Sequence, residues 1–95
     1  MIDKSKIIAI LKDKKDMFNI DKFVLFGSFA SGRYHQNSDI DIAYILKDEA
    51  KLSFDKYLEL EEDLQNSLYR HIDLMNFNKL NPLVKLNAKK NFIYV

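Results

Sequence analysis

The chain has 95 residues, of which 47% are hydrophobic and 31% are charged, with only two glycines and one proline. This composition excludes disordered and low-complexity classes, and the length predicts a single domain spanning residues 1–95. Fifteen Lys and Arg residues nearly balance fourteen Asp and Glu residues, so net charge gives no general attraction to nucleic acid or to acidic membranes.

The first third of the chain predicts a helix, a buried strand and a short second helix. The first helix is expected to begin near Asp3 or Ser5, either of which can cap it, and to end near Asp16. Residues 22–27 form an apolar run closed by glycine, which indicates a strand buried on both faces and central in its sheet. The small residues that follow predict a turn that begins a short helix, with Ser28 at its N-terminus.

The middle of the chain predicts a loop and a second strand. Residues 34–37 are expected to form the loop. In residues 39–46, Asp39 and Asp41 alternate with isoleucines before the sequence becomes wholly apolar. This pattern indicates a strand that leaves a solvated site and enters a core.

The last part of the chain predicts a helix, a strand, a helix and an edge strand. Ser53 is the expected N-cap of a helix that runs to about residue 69, and residues 71–76 alternate as a third strand. Residues 81–90 form a last helix that opens with Asn-Pro, and residues 92–95 form the edge strand. The predicted fold class is α/β, of the α+β kind: a small mixed sheet of three or four strands with helices packed on it.

Cysteine is absent from the chain, which excludes disulfides, thiolate metal sites and thiol nucleophiles. Any metal ligand must therefore be an oxygen or an imidazole. The longest apolar runs have five residues, far below the roughly 20 that span a membrane, and the N-terminal segment lacks the form of a signal peptide. We therefore expect a cytoplasmic protein with no membrane partner.

Asp39 and Asp41 are the first candidate site. Two residues apart on a strand, they point to the same side with backbones about 6 to 7 Å apart, so both carboxylates can bind one cation. A hard divalent ion relieves their repulsion, and Mg²⁺ typically binds one or two carboxylates together with substrate phosphates. Any half-buried strand shows the same alternation, so this pattern by itself leaves both interpretations open.

Gly27 and Ser28 are a candidate phosphate site. A glycine at the end of a buried strand lets backbone approach a ligand closely, and free N–H groups at the start of the following helix attract an anion. The Ser28 hydroxyl is a further donor. The alternative is an ordinary strand-to-helix turn with an N-cap.

The segment FGSFASGRYHQNSDIDI, residues 26–42, combines the two candidates: Gly-Ser, ten intervening residues, then Asp-x-Asp. It resembles the DNA polymerase beta-like nucleotidyltransferase superfamily. With the short chain and the later HIDLM strand, it is most similar to the minimal nucleotidyltransferase (MNT) family, often the antitoxin of HEPN/MNT toxin–antitoxin pairs. The resemblance covers nearly all of the chain and implies a nucleotidyltransferase fold.

The resemblance also implies roles for five residues. Gly27 and Ser28 would hold the nucleotide β and γ phosphates, and Asp39 and Asp41 would ligate Mg²⁺. Asp73 occupies the place of the third carboxylate, which completes the metal site near the acceptor hydroxyl and helps to deprotonate it. Two Mg²⁺ ions, with ATP as the substrate, are expected on this basis.

One position departs from the Gly-Ser-x-Ala-Arg-Gly motif that is common in the family. Ser31 stands where that arginine would be, and Arg33, two residues later, is either a phosphate-binding residue or a solvated loop residue. His35 and His71 have no nucleophile at a recognisable spacing. We expect both histidines to lie on the surface or to contact site residues without touching the substrate.

The implied function is that of a Mg²⁺-dependent protein adenylyltransferase, which moves AMP from ATP to a hydroxyl, most simply a tyrosine of a small helical HEPN toxin. The alternative is a non-catalytic, antitoxin-like protein that neutralises its partner by contact alone. Transfer to a small molecule usually comes with an additional helical domain that forms the acceptor pocket, and we expect no such domain in these 95 residues.

Aromatic residues predict where such a partner docks. Phe29, Tyr34, Tyr44 and residues 92–95 carry more apolar surface than one small sheet hides. We expect them to contact the helical partner, or to form a homodimer through the terminal strand. Burial beneath the helices is the alternative.

Overall fold

The computed structural model describes residues 3–33 and 38–95. In chain order its helices and strands are α1 (Lys4–Lys15), β1 (Ile20–Phe26), α2 (Gly27–Ser31), β2 (Ile40–Leu46), α3 (Phe54–Leu68), β3 (Ile72–Asn76), α4 (Pro82–Ala88) and β4 (Ile93–Tyr94). Every predicted helix and strand is present, with ends that differ from the expected ones by one or two residues. The predicted loop at 34–37 lies outside the described residues.

Side-chain caps set the starts of three helices. Asp3, Ser53 and Asn81 each accept a hydrogen bond from a free backbone N–H of the first turn, at 3.0, 3.2 and 2.8 Å. Pro82 follows Asn81 at a position where its missing N–H costs nothing. The longest helix, α3, has 15 residues, and among the described residues no helix is long and apolar enough to cross a membrane.

The four strands form one mixed sheet in the order β3-β2-β1-β4. β1 is antiparallel to both β2 and β4, whereas β2 is parallel to β3. The buried strand β1 is central, as its continuous apolar run predicts, and β4 is an edge strand. The predicted mixed α/β sheet is confirmed.

Both faces of the sheet are covered. On the first face, α1 and α3 pack against alternate strand residues, including Phe23, Leu25, Ile40, Ile42 and Ile72. The second face has a smaller cluster of Val24, Phe26, Ala43 and Leu80, with Phe77 and Phe92 packed on it. Because strand side chains alternate, residues next to the isoleucines of β2 and β3 point to the second face.

Two aromatic residues that were expected to dock a partner belong instead to the core. Phe29 is fully buried, and Tyr44 is only 8% exposed because it faces α3, with its ring centroid 6.4 Å from that of Tyr57. The prediction of a docking role was therefore wrong for both. At the C-terminus, Tyr94 is exposed and its neighbours are half-buried, while Tyr34 lies outside the described residues.

Candidate functional site

Strand direction brings the predicted site together at one end of the sheet. Because β1 is antiparallel to β2 and β2 is parallel to β3, the carboxyl end of β1 meets the amino ends of the other two strands. Phe26 is the register partner of Asp41, and Asp41 is the register partner of Asp73. Gly27 follows Phe26 directly, so α2 begins beside the carboxylates.

The three aspartates share the second face of the sheet. Asp39 and Asp41 alternate with core isoleucines on β2, and Asp73 follows the core residue Ile72 on β3. Asp39 is exposed, and Asp41 and Asp73 are half-buried. The carboxylates therefore lie at an open end of the sheet, where a ligand has access to them.

The carboxylates repel one another, and this repulsion contributes to a raised pKa of Asp41. Burial, the charge of Asp73, a hydrogen bond with Asp73 and the charge of Asp39, in that order of size, raise the pKa of Asp41 from 3.8 to about 6. A cluster whose negative charge is so poorly balanced favours a cation, and an all-oxygen donor set suits a hard ion such as Mg²⁺. These residues fit the expected metal.

Gly27 is required by the close approach of backbone to the Asp41 carboxylate. Its φ of +72° lies in the left-handed region, and a Cβ built on it would collide with a carboxylate oxygen of Asp41. Any other residue is therefore strained both in its backbone and by this contact. Helix α2 begins at Gly27 itself, one residue earlier than the Ser28 start predicted from the sequence.

A pocket of about 420 Å³ opens beside Gly27, and Arg33 is in its wall; its lining is Gly27, Ser31, Arg33, Asn81, Leu83, Val84 and Asn91. The Arg33 backbone N–H and the Ser31 hydroxyl both donate to the Ser28 carbonyl, at 3.0 and 3.2 Å. These bonds satisfy the Ser28 carbonyl at the C-terminus of α2 and hold Arg33 next to the helix end. Arg33 thus lies on the same pocket as Gly27, and its phosphate-binding role stays a prediction.

His71 adds an imidazole to the acidic cluster. Its Nδ1 lies 3.5 Å from Oδ2 of Asp39 and 3.7 Å from Oδ1 of Asp73. The surface position predicted for His71 agrees with its 62% exposed side chain, but its contact with two carboxylates was not predicted. The signal was present in the sequence, because residues two apart on a strand share a face.

Arg70 contacts two of the segments that carry site residues, the start of β2 and helix α2. Its Nη1 donates to the Ser38 carbonyl at 3.1 Å, and its guanidinium carbon lies 5.4 Å from the ring centroid of Phe29. Ser38 directly precedes Asp39, and Phe29 belongs to α2. Arg70 therefore helps to fix the start of β2 relative to α2, a role with no local sequence signal.

A mixed sheet that gathers carboxylates beside a glycine-serine turn is the arrangement of nucleotidyltransferases. Residues 5–95 match the family described as "Polymerase beta, Nucleotidyltransferase", and the chain belongs to this family. The prediction made from residues 26–42 is thereby confirmed.

Individual relatives agree with this assignment. A "putative protein adenylyltransferase" of Methanocaldococcus jannaschii is 39% identical over 87 residues, which cover 90% of this chain and 84% of the relative. Protein adenylyltransferase MntA of Thermococcus cleftensis is 28% identical over 92 residues, covering 97% and 91%. A chain from a crystal structure of a toxin–antitoxin with AMP-PNP is 26% identical and has a TM-score of 0.70, covering 98% of this chain and 72% of that one.

Proposed function

We propose that this chain is a Mg²⁺-dependent protein adenylyltransferase that moves AMP from ATP to a tyrosine hydroxyl of a small helical HEPN-type toxin. The observation that carries the proposal is the convergence of Asp39, Asp41 and Asp73 beside Gly27. Relatives named as protein adenylyltransferases support transfer of AMP to a protein. The toxin–antitoxin structure with AMP-PNP supports an ATP-like donor and a toxin partner.

In this proposal Asp39, Asp41 and Asp73 hold two Mg²⁺ ions. When bound, Mg²⁺ lowers the pKa of an acceptor hydroxyl and stabilises the negative charge that leaves with pyrophosphate. Gly27 and Ser28 bind the β and γ phosphates through backbone N–H groups and the Ser28 hydroxyl. Arg33, on the same pocket, neutralises part of the phosphate charge.

The half-exposed Asp73 faces the acceptor and takes the hydroxyl proton in this mechanism. The acceptor oxygen then forms a bond to the α-phosphorus, and the bond from that phosphorus to the bridging oxygen of pyrophosphate breaks. The proton leaves Asp73 to solvent, and AMP remains on the acceptor. The chain's contribution is to position the acceptor and the phosphates so that the attacking oxygen, the α-phosphorus and the leaving oxygen lie in one line.

Incubation of the protein with ATP, Mg²⁺ and the product of the neighbouring gene tests the proposal. Intact mass spectrometry of that product should show the addition of one or more AMP groups, located on tyrosine by peptide fragmentation. An ATP analogue with a methylene group between the α and β phosphates should give no addition. If the partner is neutralised equally well with this analogue, or with no nucleotide at all, the non-catalytic alternative is correct.

Replacement of Ser28 by alanine should weaken the use of ATP. Loss of one hydrogen bond to a charged phosphate costs about 1.5 to 3 kcal/mol, which corresponds to an increase of about 10- to 150-fold in the KM for ATP. Steady-state kinetics at saturating acceptor would measure this increase. Ser5→Ala, at an exposed position on α1, is the control, and an unchanged KM in Ser28→Ala would leave Ser28 as a simple turn residue.

The partner's docking surface is the groove between α4 and β4, not the buried Phe29 and Tyr44. This groove, of about 350 Å³, is lined by Phe77, Pro82, Lys85, Leu86, Lys89, Phe92 and Tyr94. An apolar floor with lysines at its rim suits an acidic amphipathic helix. Helix α4 also contributes Leu83 and Val84 to the pocket beside Gly27, so a partner docked on α4 is close to the site.

Leu86→Glu should disrupt the complex without unfolding the protein, because Leu86 is 71% exposed and a buried interface would have to desolvate the new charge. We expect affinity for the helical partner to fall about 10- to 100-fold or more, measured by titration calorimetry. Met17→Glu, 64% exposed on the turn before β1, is the matched control. Equal affinity of both variants would place the interface elsewhere, and light scattering would show whether a homodimer through β4 forms instead.

A further inference from the structure

The imidazole of His71 is part of the acidic cluster but has no role in the proposed transfer. Ligand atoms of Asp39, His71 and Asp73 all lie within 4.8 Å of one another. Asp41, the register partner of Asp73 on β2, is not a member of this group. Asp73 therefore neighbours both a carboxylate, that of Asp41, and the imidazole of His71.

The backbone aims His71 at the two carboxylates. The parallel register pairs Ile40 with Ile72, so the residues that precede them, Asp39 and His71, are neighbours on the same face. The Ile40 N–H donates to the His71 carbonyl at 3.1 Å, which continues the ladder to this point. The position of the imidazole beside Asp39 is thus set by sheet pairing and not by a flexible loop.

The spacing of the three groups suits a single metal ion. In an octahedral site with bonds of about 2.1 Å, adjacent ligand atoms lie about 3 Å apart and opposite ones about 4.2 Å apart. The His71 nitrogen is 3.5 and 3.7 Å from the two carboxylate oxygens. Small side-chain rotations, which exposed residues make freely, would bring all three onto one ion.

We propose that Asp39, His71 and Asp73 form a mixed nitrogen–oxygen site that binds first-row transition ions such as Mn²⁺, Co²⁺ or Ni²⁺ more tightly than Mg²⁺. An imidazole ligand favours these ions, whose affinities rise from Mn²⁺ towards Ni²⁺, whereas Mg²⁺ prefers oxygen. The inference rests on the proposed function for a metal ion at Asp39 and Asp73, and it adds His71 as a ligand with a preference among ions. It concerns metal binding and does not depend on transfer of AMP.

Titration calorimetry of the tag-free protein with Ni²⁺ and with Mg²⁺, in separate experiments without nucleotide, tests this inference. The wild-type protein should bind Ni²⁺ at least about 100-fold more tightly than Mg²⁺. His71→Ala should lower the affinity for Ni²⁺ by about 10- to 100-fold and change that for Mg²⁺ by less than about twofold. With Co²⁺, the visible absorption bands should shift in His71→Ala because a nitrogen ligand is lost.

Two variants control this experiment. His35→Ala removes the only other imidazole in the chain and should bind Ni²⁺ like the wild type, while Asp39→Asn should lose affinity for both ions. Thermal unfolding checks that each variant is folded. Unchanged Ni²⁺ affinity in His71→Ala, or an equal loss for Ni²⁺ and Mg²⁺, would overturn the inference and leave His71 as an ion-pair partner of the aspartates.

The metal-binding experiment and the AMP-transfer experiment can fail independently. If AMP transfer fails while Ni²⁺ binding depends on His71, the metal site stands and the adenylyltransferase proposal falls. If transfer with Mg²⁺ proceeds while His71→Ala binds Ni²⁺ normally, the adenylyltransferase proposal stands and the mixed metal site falls.

Discussion

Asp41→Asn should reduce AMP transfer by about a thousandfold or more. It removes a charged ligand from the cluster that holds the metal ions, and the transition-state stabilisation that such ions supply is several kcal/mol. Transfer measured with saturating ATP and Mg²⁺ would show this loss, and Asp39→Asn should behave in the same way. Asp21→Asn, at an exposed position on β1, is the control and should keep full activity.

The same variant should be more stable than the wild type in the absence of metal, with a defined pH dependence. The pKa of Asp41 is raised from 3.8 to about 6 in the folded protein. The stability contribution linked to this group is therefore present below about pH 4 and is lost as the pH rises through 6. Since Asp41→Asn cannot ionise, its advantage should grow between about pH 4 and pH 6 and be complete above about pH 6.

The size of the effect follows from the shift. The full pKa shift of Asp41 would correspond to about 3 kcal/mol in the free energy of unfolding. Solvent screening at this open site reduces this to about 1 kcal/mol. Such a gain raises the Tm by about 4 to 8 °C. Adding Mg²⁺ should raise the Tm of the wild type and not that of Asp41→Asn. Near-normal transfer by the variant, or a lower Tm at neutral pH, would contradict the assignment of Asp41 to the metal site.

Gly27→Ala should impair AMP transfer strongly and destabilise the fold. The new Cβ would collide with the Asp41 carboxylate, and the left-handed backbone at φ +72° adds its own strain. The strain alone costs about 1 to 3 kcal/mol, and displacement of Asp41 should lower transfer about a hundredfold or more. Thermal unfolding and ATP kinetics measure the two effects separately.

Gly32→Ala is a matched control for the collision. Gly32 also has a positive φ, +80°, but a Cβ there would meet nothing within 4 Å. It should show the backbone strain and keep most of the activity. Equal losses of activity in Gly27→Ala and Gly32→Ala would mean that the loss does not come from a collision with Asp41.

Local signals in the sequence were sufficient for the helices, the strands and half of the site. The caps at Asp3, Ser53 and Asn81 act within one helical turn, so residue type and spacing predict them. Asp39 and Asp41 share a face because side chains alternate along any strand. The Gly-Ser and Asp-x-Asp motifs lie in one short segment, which is why a family resemblance was visible without a structure.

Tertiary structure decided everything that depends on contacts between distant segments. Asp73 joins Asp41 only because β3 is parallel to β2 in this register, and no local pattern specifies strand order or register. The same pairing places His71 beside Asp39, and Arg70 reaches Ser38 across 32 residues of chain. Burial of Phe29 and Tyr44 was likewise undecided by sequence, because an aromatic side chain suits a core and a docking surface equally until the helices that cover it are in place.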